Sequence, residues 1–103
     1  MAFNYKEMMK QARMMQKQME EIQEELKNTV FEASSGGGAV KVKVNGDQEV
    51  LEIKISKDVV DPDAMDMLED MVLVAVNDSI KQAKEESKER LAGLTGGMSI
   101  PGL

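Results

Sequence analysis

The chain contains no cysteine, histidine or tryptophan. Disulfides, thiol nucleophiles, cysteine–histidine zinc sites and imidazole bases are therefore excluded. Its aromatic residues are Phe3, Tyr5 and Phe31, too few for the stacking platforms of single-strand nucleic-acid binders. The longest apolar run is Met71 to Val76, far short of the roughly 20 residues that span a bilayer. Met1 to Lys10 has no apolar stretch of the kind that drives secretion, so no signal peptide is expected. These absences predict a cytoplasmic protein with no membrane partner, cofactor, metal or small-molecule substrate. They also leave no acid–base pair or partnered nucleophile, so the chain is not expected to be an enzyme.

What is present is enough for one small domain: 103 residues, 31% of them charged, with ten methionines. Its core must be aliphatic and methionine-rich. Residues 29–55 carry the β signal. Val40, Val42 and Val44 alternate with lysines, and Leu51, Ile53 and Ile55 alternate with Glu52 and Lys54. A period of two marks strands with one dry and one wet face. Asn45-Gly46 between the runs predicts a hairpin. Of the possible loops, Asn45 to Gln48 sets Val42 opposite Leu51 and Val40 opposite Ile53, which keeps the apolar residues on one face. Thr29 to Ala33 reads as a first strand, turned by Ser34-Ser35-Gly36-Gly37-Gly38. That glycine triplet lacks the following Lys-Ser/Thr and helix of a phosphate loop, so a hairpin turn is expected.

Helices flank the sheet. Tyr5 to Leu26 has no glycine or proline and is rich in helix formers. Tyr5, Met8, Ala12, Met15, Met19, Ile22 and Leu26 repeat at spacings of 3 and 4, a heptad seam. This seam predicts core plus dimer contact, and Met9 and Met14 outside it hint at a further surface. Asn28 is a plausible stop. Asp61-Pro62-Asp63 suits the cap and first turn of a second helix, with Val60 and Met65 placed as a hydrophobic staple. Met67 to Val76 is apolar nearly all round, so the sheet alone cannot cover it. This predicts an obligate homodimer. Farther along, Glu86 and Arg90 form a favourable i,i+4 pair on a polar arm. The expected architecture is α+β: a long helix, a three-stranded antiparallel sheet and a second long helix. Residues 1–92 form the single domain and 93–103 a flexible Gly-rich tail.

Net charge is −6, but it is unevenly spread. Residues 1–18 hold four basic side chains against one acidic, a local +3, while the other 85 hold 9 basic and 18 acidic, −9. Lys6, Lys10, Arg13 and Lys17 occupy successive b and f positions of the heptad frame, opposite the seam. Such a stripe could be an ordinary solvated face, or a row that neutralises phosphates and releases their counterions. No helix-turn-helix pattern offers base readout, so phosphate contacts on double-stranded DNA are the form such binding takes.

The ordered set of segments resembles the YbaB/EbfC family of bacterial nucleoid-associated proteins. The match rests on the Met/Gln-rich first helix, Gly36-Gly37-Gly38-Ala39-Val40-Lys41-Val42, Val44-Asn45-Gly46 and Asp61-Pro62. It extends through Met67-Leu68-Glu69-Asp70-Met71-Val72, Ala75-Val76-Asn77-Asp78-Ser79 and Leu94-Thr95-Gly96-Gly97-Met98. The resemblance implies a tweezer-like homodimer on the bacterial nucleoid that binds DNA and alters its conformation, in nucleoid organisation or gene regulation. It implies DNA contacts on the helical arms, onto which Lys6, Lys10, Arg13 and Lys17 map, together with Lys81, Lys84, Lys88 and Arg90. The alternative reading is a protein-binding module with prefoldin-like chaperone or adaptor activity, suggested by exposed methionines and the acidic body.

Overall fold

The computed structural model describes residues 4–94. The chain runs α1 (Tyr5–Lys27), β1 (Val30–Ser35), β2 (Val40–Asn45), β3 (Val50–Ile55) and α2 (Met65–Leu94). The strands form one antiparallel sheet in the order β1-β2-β3. This is the α+β arrangement expected of alternating residues flanked by helix formers. The chain measures 75 × 21 × 17 Å, because both helices outrun the sheet.

Local chemistry sets the ends of α1. The Asn4 side chain accepts the Glu7 N–H at 3.1 Å and donates to the Glu7 carboxylate at 3.4 Å, which satisfies one of the free amides of the first turn. At the other end Asn28 Nδ2 donates to the Glu24 carbonyl and Thr29 Oγ1 to the Glu25 carbonyl. Asn28 thus ends the helix, as its position in the sequence suggests.

The core is the face of β2 turned to α2. Val40, Val42 and Val44 are completely buried, against Leu68, Ala75 and Ala83, with Phe31, Met71, Val72, Val76 and Ile80 around them. Ala75, Ser79 and Ala83 recur every four residues and are all fully buried, so α2 presents a stripe of small side chains that lets it lie close to the sheet. The Ser79 hydroxyl is satisfied by the Val76 carbonyl at 2.8 Å. α2 packs across β1 and β2. β3 lies beyond the edge of that cover, and its Val50, Ile53 and Ile55 stay exposed.

Five expectations need correction. The hairpin register differs: Val42 pairs with Ile53, Val40 with Ile55, and Val44 with Val50. The register shifts between Lys43 and Val44, where β3 spends Leu51 as an extra residue, a β-bulge. The displacement at Val40 and Val42 is two residues, so the same side chains still share the dry face. β1 extends to Ser35, two residues further than Ala33, because Ser34 and Ser35 pair with Lys41 and Val40. α2 begins at Met65, not at the Asp61-Pro62 step. Asp61 instead closes a turn of its own, its carboxylate accepting the Asp63 N–H at 3.0 Å and its carbonyl the Ala64 N–H at 2.9 Å. Val60 and Met65 are both exposed and form no buried staple. Gly93 and Leu94, placed in the tail by sequence, are the last residues of α2, and the rest of the tail lies outside the described residues.

The glycine triplet is a hairpin turn, as expected. Gly36, Gly37 and Gly38 all have positive φ, which glycine adopts without steric penalty. Gly36 is also tied by space, since a side chain there would meet the Met71 sulfur.

Candidate nucleic-acid interface

At 3.6 residues per turn, Lys6, Lys10, Arg13 and Lys17 fall within about 60° of one another around α1 and span about 17 Å along it. All four are exposed. The ion pairs among the described residues are Lys43–Glu52, Lys54–Glu52 and Arg90–Glu86, so none of the four is neutralised by a carboxylate. The nearest acid in sequence, Glu7, is turned to Asn4 at the helix start. The acids of α1 gather at its inner end, with Glu20, Glu21, Glu24 and Glu25 following the stripe. Positive charge is thus concentrated on the outer half of the arm, away from the acidic body.

The cations of α2 divide into three kinds. Arg90 Nε donates to Glu86 Oε1 at 3.1 Å, so the expected i,i+4 pair is formed and this guanidinium is occupied. Lys81 lines a cavity of about 520 Å³ with Glu32, Asp78 and Glu85, an acidic setting that repels phosphate. Lys84 and Lys88 are exposed and outside the ion pairs among the described residues. The same helical phase that aligns the α1 residues also places Lys81, Lys84 and Lys88 within about 60° of one another over about 11 Å of α2 and leaves Arg90 on the opposite side.

How the arm is rooted involves residues that sequence reading assigned only to a turn. Gly46 N–H donates to the Leu26 carbonyl at 2.8 Å, and a Cβ on Gly46 would collide with that same carbonyl. The hairpin tip thus docks on the last turn of α1, and glycine is needed there for close approach, with no positive φ. Asn45 builds the rest of the tip, its side-chain oxygen accepting the Asp47 and Glu49 N–H groups, both at 3.0 Å. Ser87 of α2 donates chiefly to the Ala83 carbonyl of its own helix at 2.7 Å and shares that proton with the Gly46 carbonyl at 3.3 Å, a weaker tie of the second helix to the same point. Leu26 and Leu91 are buried beside it. The only sequence signal was the Asn-Gly pair, which announces a turn and says nothing of what docks on it.

The wet face of the sheet carries Lys41, Lys43, Glu52 and Lys54, as the alternation predicts. Glu52 bridges Lys43 at 3.4 Å and Lys54 at 3.5 Å, which offsets one of that face's three positive charges.

Residues 1–98 match the YbaB/EbfC DNA-binding family. A nucleoid-associated protein of Clostridium novyi is 50% identical over 100 residues, covering 97% of this chain and 88% of the relative. One from Chloroflexus aurantiacus is 48% identical over 95 residues, covering 92% and 95%. The crystal structure of an uncharacterized protein from Helicobacter pylori superposes with a TM-score of 0.81 at 23% identity, covering 92% of this chain and all of that one. At that identity it speaks to the fold alone.

Proposed function

The chain belongs to the YbaB/EbfC DNA-binding family, and from this premise we propose that it acts on the bacterial nucleoid as a homodimer. The dimer grips duplex DNA through phosphate contacts from its helical arms and alters the path of that DNA, with no catalytic step. The observation that carries this reading is the row Lys6, Lys10, Arg13 and Lys17, exposed and outside every ion pair among the described residues. Lys84 and Lys88 add to it. Arg90, held by Glu86, contributes least, and Lys81, although exposed, is set among Glu32, Asp78 and Glu85. Phosphate contacts position a protein without reading sequence, so specificity comes from duplex shape and deformability.

Two uncovered apolar surfaces support the homodimer. One is the dry face of β3, with Ile53 and Ile55 more than two-fifths exposed. The other is the flank of α2 where Leu73 is more than half exposed, beside Val72, Val76 and Ile80, which the sheet leaves only half-buried. Asp78, Gln82 and Glu85 line the β1 side of α2, and helical phase places Val72 and Val76 on the opposite flank, toward β3. A second copy seated in that trough covers both at once.

Replacing Lys10, Arg13 and Lys17 by Glu is expected to abolish retardation of duplex DNA in a gel while leaving the dimer mass unchanged in sedimentation. Undiminished retardation by that variant rejects the stripe as the contact. The protein-binding alternative draws on Met14, more than half exposed on α1. It predicts suppression of client aggregation at physiological salt without DNA binding.

A further inference from the structure

The heptad seam of α1 runs from Tyr5 to Leu26, yet only its inner end is used. Leu26 is buried and Met19 and Ile22 half-buried, whereas Tyr5, Met8, Ala12 and Met15 are exposed. We propose that this bare outer seam pairs antiparallel with the same seam of a second copy. Two dimers then join arm to arm and hold two DNA duplexes at once. The bridging rests on the DNA-binding reading above, but the pairing does not.

The first argument is self-complementarity. In an antiparallel pair, seam residues of alternating type face each other, and here Tyr5 meets Met15 while Met8 meets Ala12. Each layer sets a larger side chain against a smaller or more adaptable one, and methionine fills irregular gaps. Antiparallel overlap also keeps the two bodies at opposite ends, clear of each other.

The second argument is charge. The positions that border the bare seam are Met9, Gln11, Gln16 and Gln18, all uncharged. Seam borders in coiled coils select or reject partners by charge. A neutral border imposes no repulsion between identical helices, whereas the cations sit at b and f, on the far side. This placement also disfavours a lipid surface. A helix lying in a membrane interface needs its cations at the edges of the apolar face to reach the headgroups, and these lie nearly opposite it. Paired through their seams, two arms turn their basic rows outward in opposite directions, each toward its own duplex.

The bare seam spans about 15 Å, so a single pairing is weak. Copies held on one DNA molecule meet at high effective concentration, which compensates for weak contacts. Pairing is therefore expected to strengthen with occupancy of DNA.

The absence of cysteine makes the test direct. A mixture of Met8→Cys and Ala12→Cys chains, both substituted at exposed positions, is expected to give a mixed crosslink with a short bis-maleimide. A mixture of Lys6→Cys and Lys10→Cys chains, on the basic face, should not. In the native chain, beads carrying one duplex are expected to capture a second labelled duplex. Met8→Glu with Met15→Glu should reduce that capture to background and retain retardation of a single duplex. Three results overturn the proposal: mixed crosslinking no stronger than the basic-face control, capture unchanged in the glutamate variant, or a crosslink that forms only after residues 95–103 are removed, which would make the chain's own tail the cover. Loss of all retardation with the crosslink intact would strike the DNA-binding reading and leave the pairing standing.

Discussion

Gly46 shows what a single residue does in this chain. Its missing side chain lets the hairpin tip touch the Leu26 carbonyl, and Ser87 bonds to its own carbonyl from the other side. Gly46→Ala is expected to force these backbones apart, at a cost of about 1–3 kcal/mol, the usual range for overpacking. For a domain of this size that lowers the melting temperature by several degrees or more, about 4–8 °C per kcal/mol, and circular dichroism will read it. Val42→Ala probes the sheet side. Val42 is fully buried beneath α2, and removing its two methyl groups should cost about 2 kcal/mol in transfer and cavity terms. By contrast, Lys10→Ala touches nothing that holds the fold, and should leave the melt within about 0.5 kcal/mol of the native value.

At the level of elements, sequence carried most of the fold because its periods were clean. Val40, Val42 and Val44 against Lys41 and Lys43 can only be a strand with one dry face, and the seam from Tyr5 to Leu26 can only be a helix. The register was not legible. The bulge at Leu51 arises from how β3 leaves the Asn45 tip, which depends on three-dimensional hydrogen bonds to Asn45. The start of α2 was misplaced for a related reason: Asp61 and Pro62 suit a turn as well as a cap, and local preference does not choose between them. Of the candidate site, the row on α1 was legible because helical phase alone aligns it. The Arg90–Glu86 pair was legible from its i,i+4 spacing, whereas the setting of Lys81 was not, since Glu32 reaches it from the neighbouring strand. The arms give a quantitative prediction. If each arm neutralises about four phosphates, a dimer engages about eight, and log K should fall with log salt at a slope near −7. Fluorescence anisotropy across a salt series checks this, and Lys10→Ala, which removes one contact from each arm, should flatten the slope by about 2.

For the whole molecule, the important surface is the one left bare by a sheet wider than the helix over it. Ile53→Glu with Ile55→Glu places charge at positions already exposed in a single chain. The individual fold should survive, with an unchanged helical circular dichroism signal, while the dimer dissociates in sedimentation equilibrium. A dimer that persists would move the interface elsewhere. DNA affinity should fall with it, since two arms acting together lose their mutual effective concentration when separated.

The root of α1 sets a final consequence. Beyond Met19 the helix stands clear of the body, a free length of about 21 Å to Tyr5, and it is rooted where Gly46 meets Leu26. A tilt of a tenth of a radian at that root, about 32 Å from Tyr5, moves the tip by about 3 Å. The arm is a cantilever, and in the proposed dimer the gap between two of them is set at their roots. Substitutions at Gly46 or Ser87, which meet no phosphate, are therefore expected to change the width of duplex the protein can straddle.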